Sequence, residues 1–282
     1  MDTLPVEIVD IVLNYLAPSD LASACSVSRT WLHIISPRLY RRPALRTHKQ
    51  LELFANNSSR LHAHVVRLDL RRVGDYVTDT TAAQLVRCSS VQHMDLSGCK
   101  ALSSHGIDTL LRTSITSVSS VLLASCSLSQ TTLDILRRAS TTAQLQTLNL
   151  SNTKISPCWS IDASNDLNCL VAGVASNRIT RLDLSYCAWV SDSTLENLGL
   201  GMPRLEWLSL RWCQDVSQLA AEKLVGRLRN LRYLDARCIP AIAESQVVAF
   251  FNDHPSLEEC IFSKKRCAMT ARRSTEAFEI LK

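Results

Sequence analysis

A short strand pattern recurs at a nearly constant spacing through most of this 282-residue chain. Each copy alternates apolar with polar residues, from residues 65–70 to a degenerate last copy at 257–262. The first inward-facing apolar residues of the eight copies are Leu68, Met94, Val121, Leu148, Leu182, Leu208, Leu234 and Cys260. Their successive spacings are 26, 27, 27, 34, 26, 26 and 26 residues. A strand followed by a helical stretch at this period predicts stacked units that bury one another's apolar faces.

These units resemble leucine-rich repeats, and the resemblance implies an α/β fold, a solenoid of about eight strand–helix repeats. Polar residues precede the helical stretches, and Thr78, Ser104, Ser191 and Ser217 are predicted to cap them. Because helices are wider than strands, we expect the stack to curve, with a parallel sheet on its concave side and the helices outside. We expect partners to bind the concave side.

Four cysteines occupy one equivalent position, five residues after the inward-facing marker of their repeat: Cys99, Cys126, Cys187 and Cys213. This arrangement resembles the cysteine-containing class of leucine-rich repeats. A small side chain there can pack inward and direct its weak donor at backbone groups, which predicts a buried structural ladder. Zinc binding is the competing interpretation, but zinc sites usually bring two cysteines within a few residues, and the chain contains no Cys-x-x-Cys. We therefore expect neither a metal nor a cofactor.

The first forty residues do not share this repeat. Apolar residues recur there at helical spacing: Leu4, Ile8, Ile11, Val12, Tyr15 and Leu16. This spacing predicts a helix from about Pro5 to Leu16, which Ala17 and Pro18 terminate. A second helix, capped by Ser19, and a third short helix around Trp31 are predicted to follow. Three such short helices bury little surface, so we expect an apolar face that is left for a partner or for the next domain.

This element resembles an F-box over residues 2–42. The resemblance rests on Leu4-Pro5, Glu7, Ile8, Ile11, Leu16, Asp20-Leu21, Val27-Ser28-Arg29, Trp31 and Leu39-Tyr40, with Tyr40 standing where the family has Trp. It implies binding to a Skp-type adaptor and, through it, to the cullin scaffold and RING subunit of an SCF ubiquitin ligase. The positions carried over as adaptor-facing or supporting are Leu4, Pro5, Ile8, Ile11, Leu16 and Leu21. The sequence does not separate adaptor-facing residues from the internal core, and a cap that shields the first repeat is the alternative interpretation.

The predicted organisation therefore has four parts. An F-box occupies residues 2–42, a linker with an N-terminal helical cap 43–61, leucine-rich repeats 62–262, and a basic C-terminal cap or tail 263–282. One repeat is longer than its neighbours because of an insertion at 156–165 that contains Trp159. We interpret this insertion either as a contact element or as a tolerated loop whose Trp folds back.

Composition excludes several classes of function. The net charge of +5 is mild for a nucleic-acid-binding protein, so no nucleic acid partner is expected. Charged or polar residues interrupt every apolar run, and no membrane association is expected. The eleven cysteines follow an amino terminus without signal-peptide features, so we expect a reducing compartment, cytoplasmic or nuclear or both.

The later repeats carry aromatic and arginine residues where the strands should face outward. These candidate substrate-binding residues are Arg181, Tyr186, Trp207, Arg211, Trp212, Tyr233 and Arg237. Such residues dominate protein-binding hot spots, because they combine apolar area with directed hydrogen bonds. The alternative is structural: Asp after the strand Leu belongs to the repeat pattern, and Trp207 and Tyr233 can stack across neighbouring strands. The repeat pattern gives the least reason to expect these residue types at Arg211, Trp212 and Arg237.

The basic segment 263–273 is also open to two interpretations. It can attract an acidic or phosphorylated substrate or serve as a weak nuclear signal, or it is a solvated cap on the last repeat.

No sequence motif for catalysis is present. The chain lacks a Gly-rich phosphate loop, His-Glu-x-x-His, Gly-x-Ser-x-Gly and a dinucleotide fingerprint. We therefore predict a non-catalytic substrate receptor that holds a target protein on its repeats while other ligase subunits transfer ubiquitin. A scaffold that assembles no ligase is the alternative, and a fragment of a multidomain protein is a third hypothesis.

Overall fold

The recurring strands pair side by side, in parallel and in chain order. The computed structural model describes residues 6–57, 60–142, 144–155, 178–239, 242–264, 267–274 and 277–281. The eight parallel strands are β1 Arg67–Asp69, β2 His93–Asp95, β3 Ser120–Leu122, β5 Thr147–Asn149, β7 Arg181–Asp183, β8 Trp207–Ser209, β9 Tyr233–Ala236 and β10 Glu259–Lys264. The predicted marker residues are Cα partners across all of these strands, and each is at most 2% exposed. The repeat period and its register are therefore confirmed.

Each strand leads through a turn into the outer layer of its repeat. A 3-10 helix, Arg71–Tyr76, follows β1, and a second small parallel sheet pairs β4, Ser127–Leu128, with β6, Lys154–Ile155. The α-helices of the repeats are α5 Asp79–Leu85, α6 Ser104–Thr113, α7 Gln130–Thr142, α8 Asp192–Gly201, α9 Gln218–Arg227 and α10 Glu244–Asp253. Their apolar sides and the strand leucines form one continuous hydrophobic core through the repeats.

The predicted helix caps are correct at three positions and wrong at one. Thr78, Ser191 and Ser217 occupy the N-cap positions of α5, α8 and α9. The prediction of Ser104 as a cap was wrong, because Ser103 is the N-cap and its Oγ accepts the backbone N–H of Gly106 at 3.4 Å. Two adjacent serines satisfy the sequence pattern equally well, and only the helix position decides between them.

The amino-terminal segment forms three helices, as predicted, with different limits. They are α1 Val6–Asn14, α2 Pro18–Cys25 and α3 Arg29–Tyr40. The prediction that Ser19 caps α2 was wrong, because Ala17 is the N-cap and Pro18 begins the helix. The third helix has 12 residues rather than being short, and it starts where Ser28 Oγ accepts the N–H of Trp31 at 3.2 Å.

A fourth helix and the end of α3 join this segment to the repeats. Helix α4, His48–Asn56, packs Leu51 and Phe54 into the repeat core. Tyr40, in the last turn of α3, stacks on Phe54 with ring centroids 5.9 Å apart and accepts a hydrogen bond from Asn57 Nδ2 at 2.9 Å. The carbonyl of Arg41 accepts the backbone N–H groups of the two residues at the start of β1, each at 3.0 Å. Backbone and side-chain contacts therefore fix α3 to the first strand.

The carboxy-terminal segment continues the sheet. Strand β11, Cys267–Ser274, pairs antiparallel with β10, and β12, Ala277–Leu281, pairs antiparallel with β11. Arg272, in β11, lies 3.2 Å from the carboxylate of Glu259. The boundaries predicted for the cap, the repeats and the tail stay predictions. Within the described residues, no helix has the length and apolar character needed to span a membrane.

Candidate functional site

In six of the repeats, one residue of the turn after the strand has a left-handed backbone. Four positions after the strand marker, φ is positive in six repeats: Gly98, Ser125, Asn152, Tyr186, Trp212 and Cys238. In five of them the N–H of this residue donates to a carbonyl of the next repeat, as from Tyr186 to Arg211 at 2.7 Å and from Trp212 to Arg237 at 2.9 Å. The stacking of the repeats therefore imposes this conformation, which glycine and asparagine adopt most easily.

Two large aromatic residues occupy that position in neighbouring repeats. Tyr186 and Trp212 both have φ of 61°, a strained value for a bulky side chain that costs roughly 1–2 kcal/mol. Their rings stack at 6.0 Å with an interplanar angle of 14°, and the residues remain 44% and 42% exposed. The guanidinium of Arg211 lies 5.3 Å from the centre of the Tyr186 ring. We call Tyr186, Arg211 and Trp212 the exit cluster. The repeat does not require these side chains, and strained residues of this kind concentrate at functional sites.

A second group of candidates lies at the start of the same strands. Arg181, Trp207 and Tyr233 are Cα partners on β7, β8 and β9, and we call them the entry row. The Trp207 and Tyr233 rings are parallel within 2° at 5.1 Å, and the Arg181 guanidinium lies 5.3 Å from the centre of the Trp207 ring. Cross-strand stacking thus accounts for much of this row, as the structural alternative predicted.

The acidic residues between the two groups have a structural role. Asp183 and Asp235 accept the backbone N–H of the residue two positions later, at 3.0 and 3.2 Å, and Asp95 does the same in the second repeat at 3.0 Å. Each carboxylate thereby provides a hydrogen-bond acceptor for a backbone N–H group in the turn that follows its strand. Burial raises the pKa of Asp95, against hydrogen bonds from Ser97 that lower it. These side chains belong to the repeat, as the residue pattern indicated.

Arg237 and Arg211 differ in their partners. Arg237 donates to Asp235 through Nε at 2.9 Å and Nη2 at 2.5 Å, and this hydrogen bonding raises its pKa. Arg211 makes no carboxylate contact within the described residues, and its Nε is buried without a hydrogen-bond partner there. The structure thus places three of the seven candidates on the adjacent strands β7, β8 and β9 and the other four in the turns that follow these strands.

The cysteine ladder is buried, as predicted. The thiols of Cys126, Cys187 and Cys213 donate to the carbonyls of Leu96, Leu150 and Leu184 in the preceding repeats, at 3.2, 3.0 and 3.2 Å. Burial raises the pKa of Cys126 to about 11 and those of Cys99 and Cys213 to about 12.

A thiolate is the form that binds metals or attacks electrophiles, and these environments disfavour it. Among the described residues, no three His, Cys, Asp or Glu side chains are grouped to hold a metal ion.

Helix α1 exposes an apolar face. Ile8, Ile11, Val12 and Tyr15 recur at the spacing of one helical face, and their exposed fractions run from 43% to 86%. Leu13 points the other way and is 2% exposed. A contiguous exposed apolar patch of this kind marks an interaction site, because water penalises it in the free protein.

The predicted adaptor-facing residues divide between this face and its support. Ile8 and Ile11 lie on the exposed face, whereas Leu16 and Leu21 are half-buried. Leu4 and Pro5 lie outside the described residues, as does the 156–165 insertion with Trp159. Val27, Leu32 and Ile34 add exposed apolar area in the same segment and were not among the residues predicted to face the adaptor. Helical periodicity does not group them, since Val27 lies in the turn between α2 and α3 and Leu32 and Ile34 are two residues apart on α3.

Comparison with known proteins agrees with both halves of the chain. The F-box-like family model matches residues 1–46. The yeast structure of the complex of Rad7 and Elc1 has a similar fold, with a TM-score of 0.53 and 15% identity over 84% of this chain and 68% of the matched chain. An internalin, inlF, from Listeria monocytogenes also matches, with a TM-score of 0.46 and 14% identity over 80% of this chain and 57% of its own.

The likeness to the Rad7 complex concerns the fold alone at this identity. The family match, the three helices and the eight paired strands together define the chain as an F-box-like segment joined to a leucine-rich-repeat solenoid.

Proposed function

We propose that this protein is the substrate-recognition subunit of an SCF-type cullin-RING ubiquitin ligase. The observation that carries the proposal is the exposed apolar face of Ile8, Ile11, Val12 and Tyr15, which lies inside the segment that matches the F-box-like family. A Skp-type adaptor that covers this face removes its apolar area from water, which is the main driving force of association. Rad7, a protein of similar fold, was crystallised in complex with Elc1.

The repeats supply the second binding surface. The exit cluster and the entry row combine aromatic rings with arginine on the outward face of β7, β8 and β9, a composition that is typical of protein-binding hot spots. The Tyr40 contacts fix α3 to α4 and the Arg41 contacts fix it to β1, so that a target on the strand face is held at a defined place relative to the adaptor. In this mechanism the protein raises the effective concentration of the target beside the ubiquitin-transferring subunits. The protein itself contributes no catalytic residue to the proposed mechanism.

Capture of the adaptor tests this proposal. The full chain is expected to recover a Skp-type adaptor and a cullin from cell extract, and a double variant, Ile11→Glu with Tyr15→Glu, is expected to recover neither, because each new carboxylate would have to lose its hydration inside an apolar interface. Leu219→Glu is the matched control, since Leu219 is an exposed leucine of α9 on the repeats. Failure of the unaltered chain to bind either subunit, with target proteins still bound, would instead identify a scaffold that assembles no ligase.

A further inference from the structure

In the described part of the chain, two arginines of the later repeats, Arg181 and Arg211, lack the carboxylate partners that Arg71 and Arg237 have. Arg71 contacts the carboxylates of Asp69 and Asp95, each at 2.8 Å, and Arg237 is bound to Asp235. Arg181 and Arg211 instead lie over aromatic rings and form no ion pair with any described residue. A guanidinium that rests on a ring can still donate from its edge to an anion, and in Arg211, whose Nε is buried, the Nη groups are the donors that remain for this.

The carboxylate nearest in sequence to Arg181 is occupied by neutral donors. Asp183 accepts from the N–H and Oγ of Ser185, at 3.0 and 2.6 Å, and from Asn149 Nδ2 at 3.2 Å. Its lone pairs are therefore committed to the turn and to the neighbouring strand. The outward face of β7 and β8 consequently presents two cations whose charge no carboxylate contact compensates within the part of the chain described.

The aromatic rings of this face are not free to take a nucleobase between them. Trp207 lies on the strand between Arg181 and Tyr233, so both faces of its ring are covered by these two neighbours. Tyr186 and Trp212 stack on each other, and Arg211 also lies over the Tyr186 ring, so that neighbouring rings leave no gap for a base between them. Single-stranded nucleic acids bind chiefly by stacking bases on open ring faces. Ring edges beside arginine suit apolar side chains of a polypeptide that also carries negative charge.

We propose that the outward face of β7, β8 and β9 binds an extended anionic peptide segment, whose carboxylate or phosphate groups pair with Arg181 and Arg211 while its apolar side chains contact the edges of the aromatic stacks. This inference rests on the proposed function, since it names the class of target that the repeats recognise. The strained backbone at Tyr186 and Trp212 supports it, because folding alone does not favour aromatic residues there.

Selection from a phage library of random nonapeptides on the immobilised full chain tests this inference. Peptides recovered on the unaltered protein are expected to be enriched in Asp and Glu by about threefold or more over the input library. The double variant Arg181→Gln with Arg211→Gln is expected to abolish the enrichment. Arg67→Gln is the matched control, since Arg67 occupies the equivalent strand position in the first repeat, and it is expected to retain the enrichment.

A second measurement identifies the source of the negative charge. The most enriched peptide is synthesised with its carboxylates, with phosphoserine and with the corresponding amides, and binding is followed by fluorescence anisotropy. The amide form and the double variant are each expected to weaken binding by about tenfold. Tighter binding of the phosphoserine form assigns the site to phosphorylated targets, and tighter binding of the carboxylate form assigns it to acidic ones.

Three results would overturn the inference. They are enrichment of neutral or basic peptides or no enrichment at all, unchanged selection on the double variant, and tighter binding of a labelled oligothymidylate than of the best acidic peptide. Adaptor capture by the double variant is measured in parallel and is expected to match that of the unaltered chain. If the double variant still captures the adaptor but one of these three results is found, the anionic target is rejected and the ligase proposal stands.

Discussion

The left-handed backbone at Trp212 predicts which of two variants, Trp212→Gly or Trp212→Ala, is the more stable. At most exposed positions Ala is more stable than Gly, because Gly loses more conformational freedom on folding, by roughly 0.5–1 kcal/mol. Trp212 has φ of 61°, where the Cβ of any L-residue meets the following carbonyl. Trp212→Gly is therefore expected to be more stable than Trp212→Ala.

The expected magnitude follows from two opposing contributions. Removal of the Cβ from a left-handed position gains about 1–2 kcal/mol, and the greater freedom of unfolded glycine costs about 0.5–1 kcal/mol. Both variants lose the same stacking contact with Tyr186, so this loss cancels in the comparison. The difference in the free energy of unfolding is therefore expected to be about 0.5–1 kcal/mol in favour of glycine.

Leu53 provides the control for this comparison. It is an exposed leucine in the interior of α4, where the expected order is the usual one, with Ala more stable than Gly by about 1 kcal/mol. Urea denaturation followed by circular dichroism measures all four variants, with the midpoints compared at equal slope. If Ala equals or exceeds Gly in stability at residue 212, Trp212 is not held in a strained conformation, and the strain no longer supports a binding role for the exit cluster.

Two further predictions concern the thiols and an acidic residue of the repeats. Burial raises the pKa values of Cys99 and Cys213 to about 12, so both thiols are expected to resist iodoacetamide at pH 8 in the folded protein while half-buried Cys25 reacts. Peptide mass spectrometry measures the labelling of each cysteine. Rapid labelling of Cys99 or Cys213 in the native protein would contradict the buried ladder. Hydrogen bonds from Ser103 lower the pKa of Asp79, so its stabilising effect is complete above the unfolded value near 4 and is lost as the pH falls through the lower folded value. The difference in unfolding free energy between the unaltered chain and Asp79→Asn, measured by urea denaturation, is expected to shrink between pH 5 and pH 3; a constant difference would show that the carboxylate charge contributes nothing.

Sequence periodicity was sufficient to predict the solenoid. A strand side chain has only two directions to point, so the alternation around Leu68 and its equivalents fixes which residues are buried, and the repeat spacing fixes which residues are paired. The repeat spacing also predicted the buried cysteine ladder, because equivalent positions in successive repeats have equivalent environments. Local choices between adjacent residues, such as Ser103 and Ser104, were beyond this reasoning, since both satisfy the same pattern.

The sequence also predicted which residues lie at the candidate site, but it did not predict the contacts that each of them makes. The sequence grouped Arg211 with Arg237 as equally undemanded by the repeat. The structure pairs Arg237 with Asp235, two residues earlier, and leaves Arg211 over Tyr186, because the residue equivalent to Asp235 in the preceding repeat is Ser209. The Asp235–Arg237 pair is local, whereas the contact of Arg211 with Tyr186 joins two neighbouring repeats, and no local pattern encodes it.

By itself, then, the sequence determined the F-box resemblance, the repeats and the strands that carry the candidate site. Tertiary structure alone decided that Leu13 turns inward while Ile11 and Tyr15 stay exposed, since helical spacing marks an apolar face without saying what it packs against. It also decided that Tyr186 and Trp212 occupy left-handed turns, because the hydrogen bonds that impose this conformation come from the next repeat. Periodicity reports what is common to all repeats, whereas the candidate site lies where individual residues depart from it.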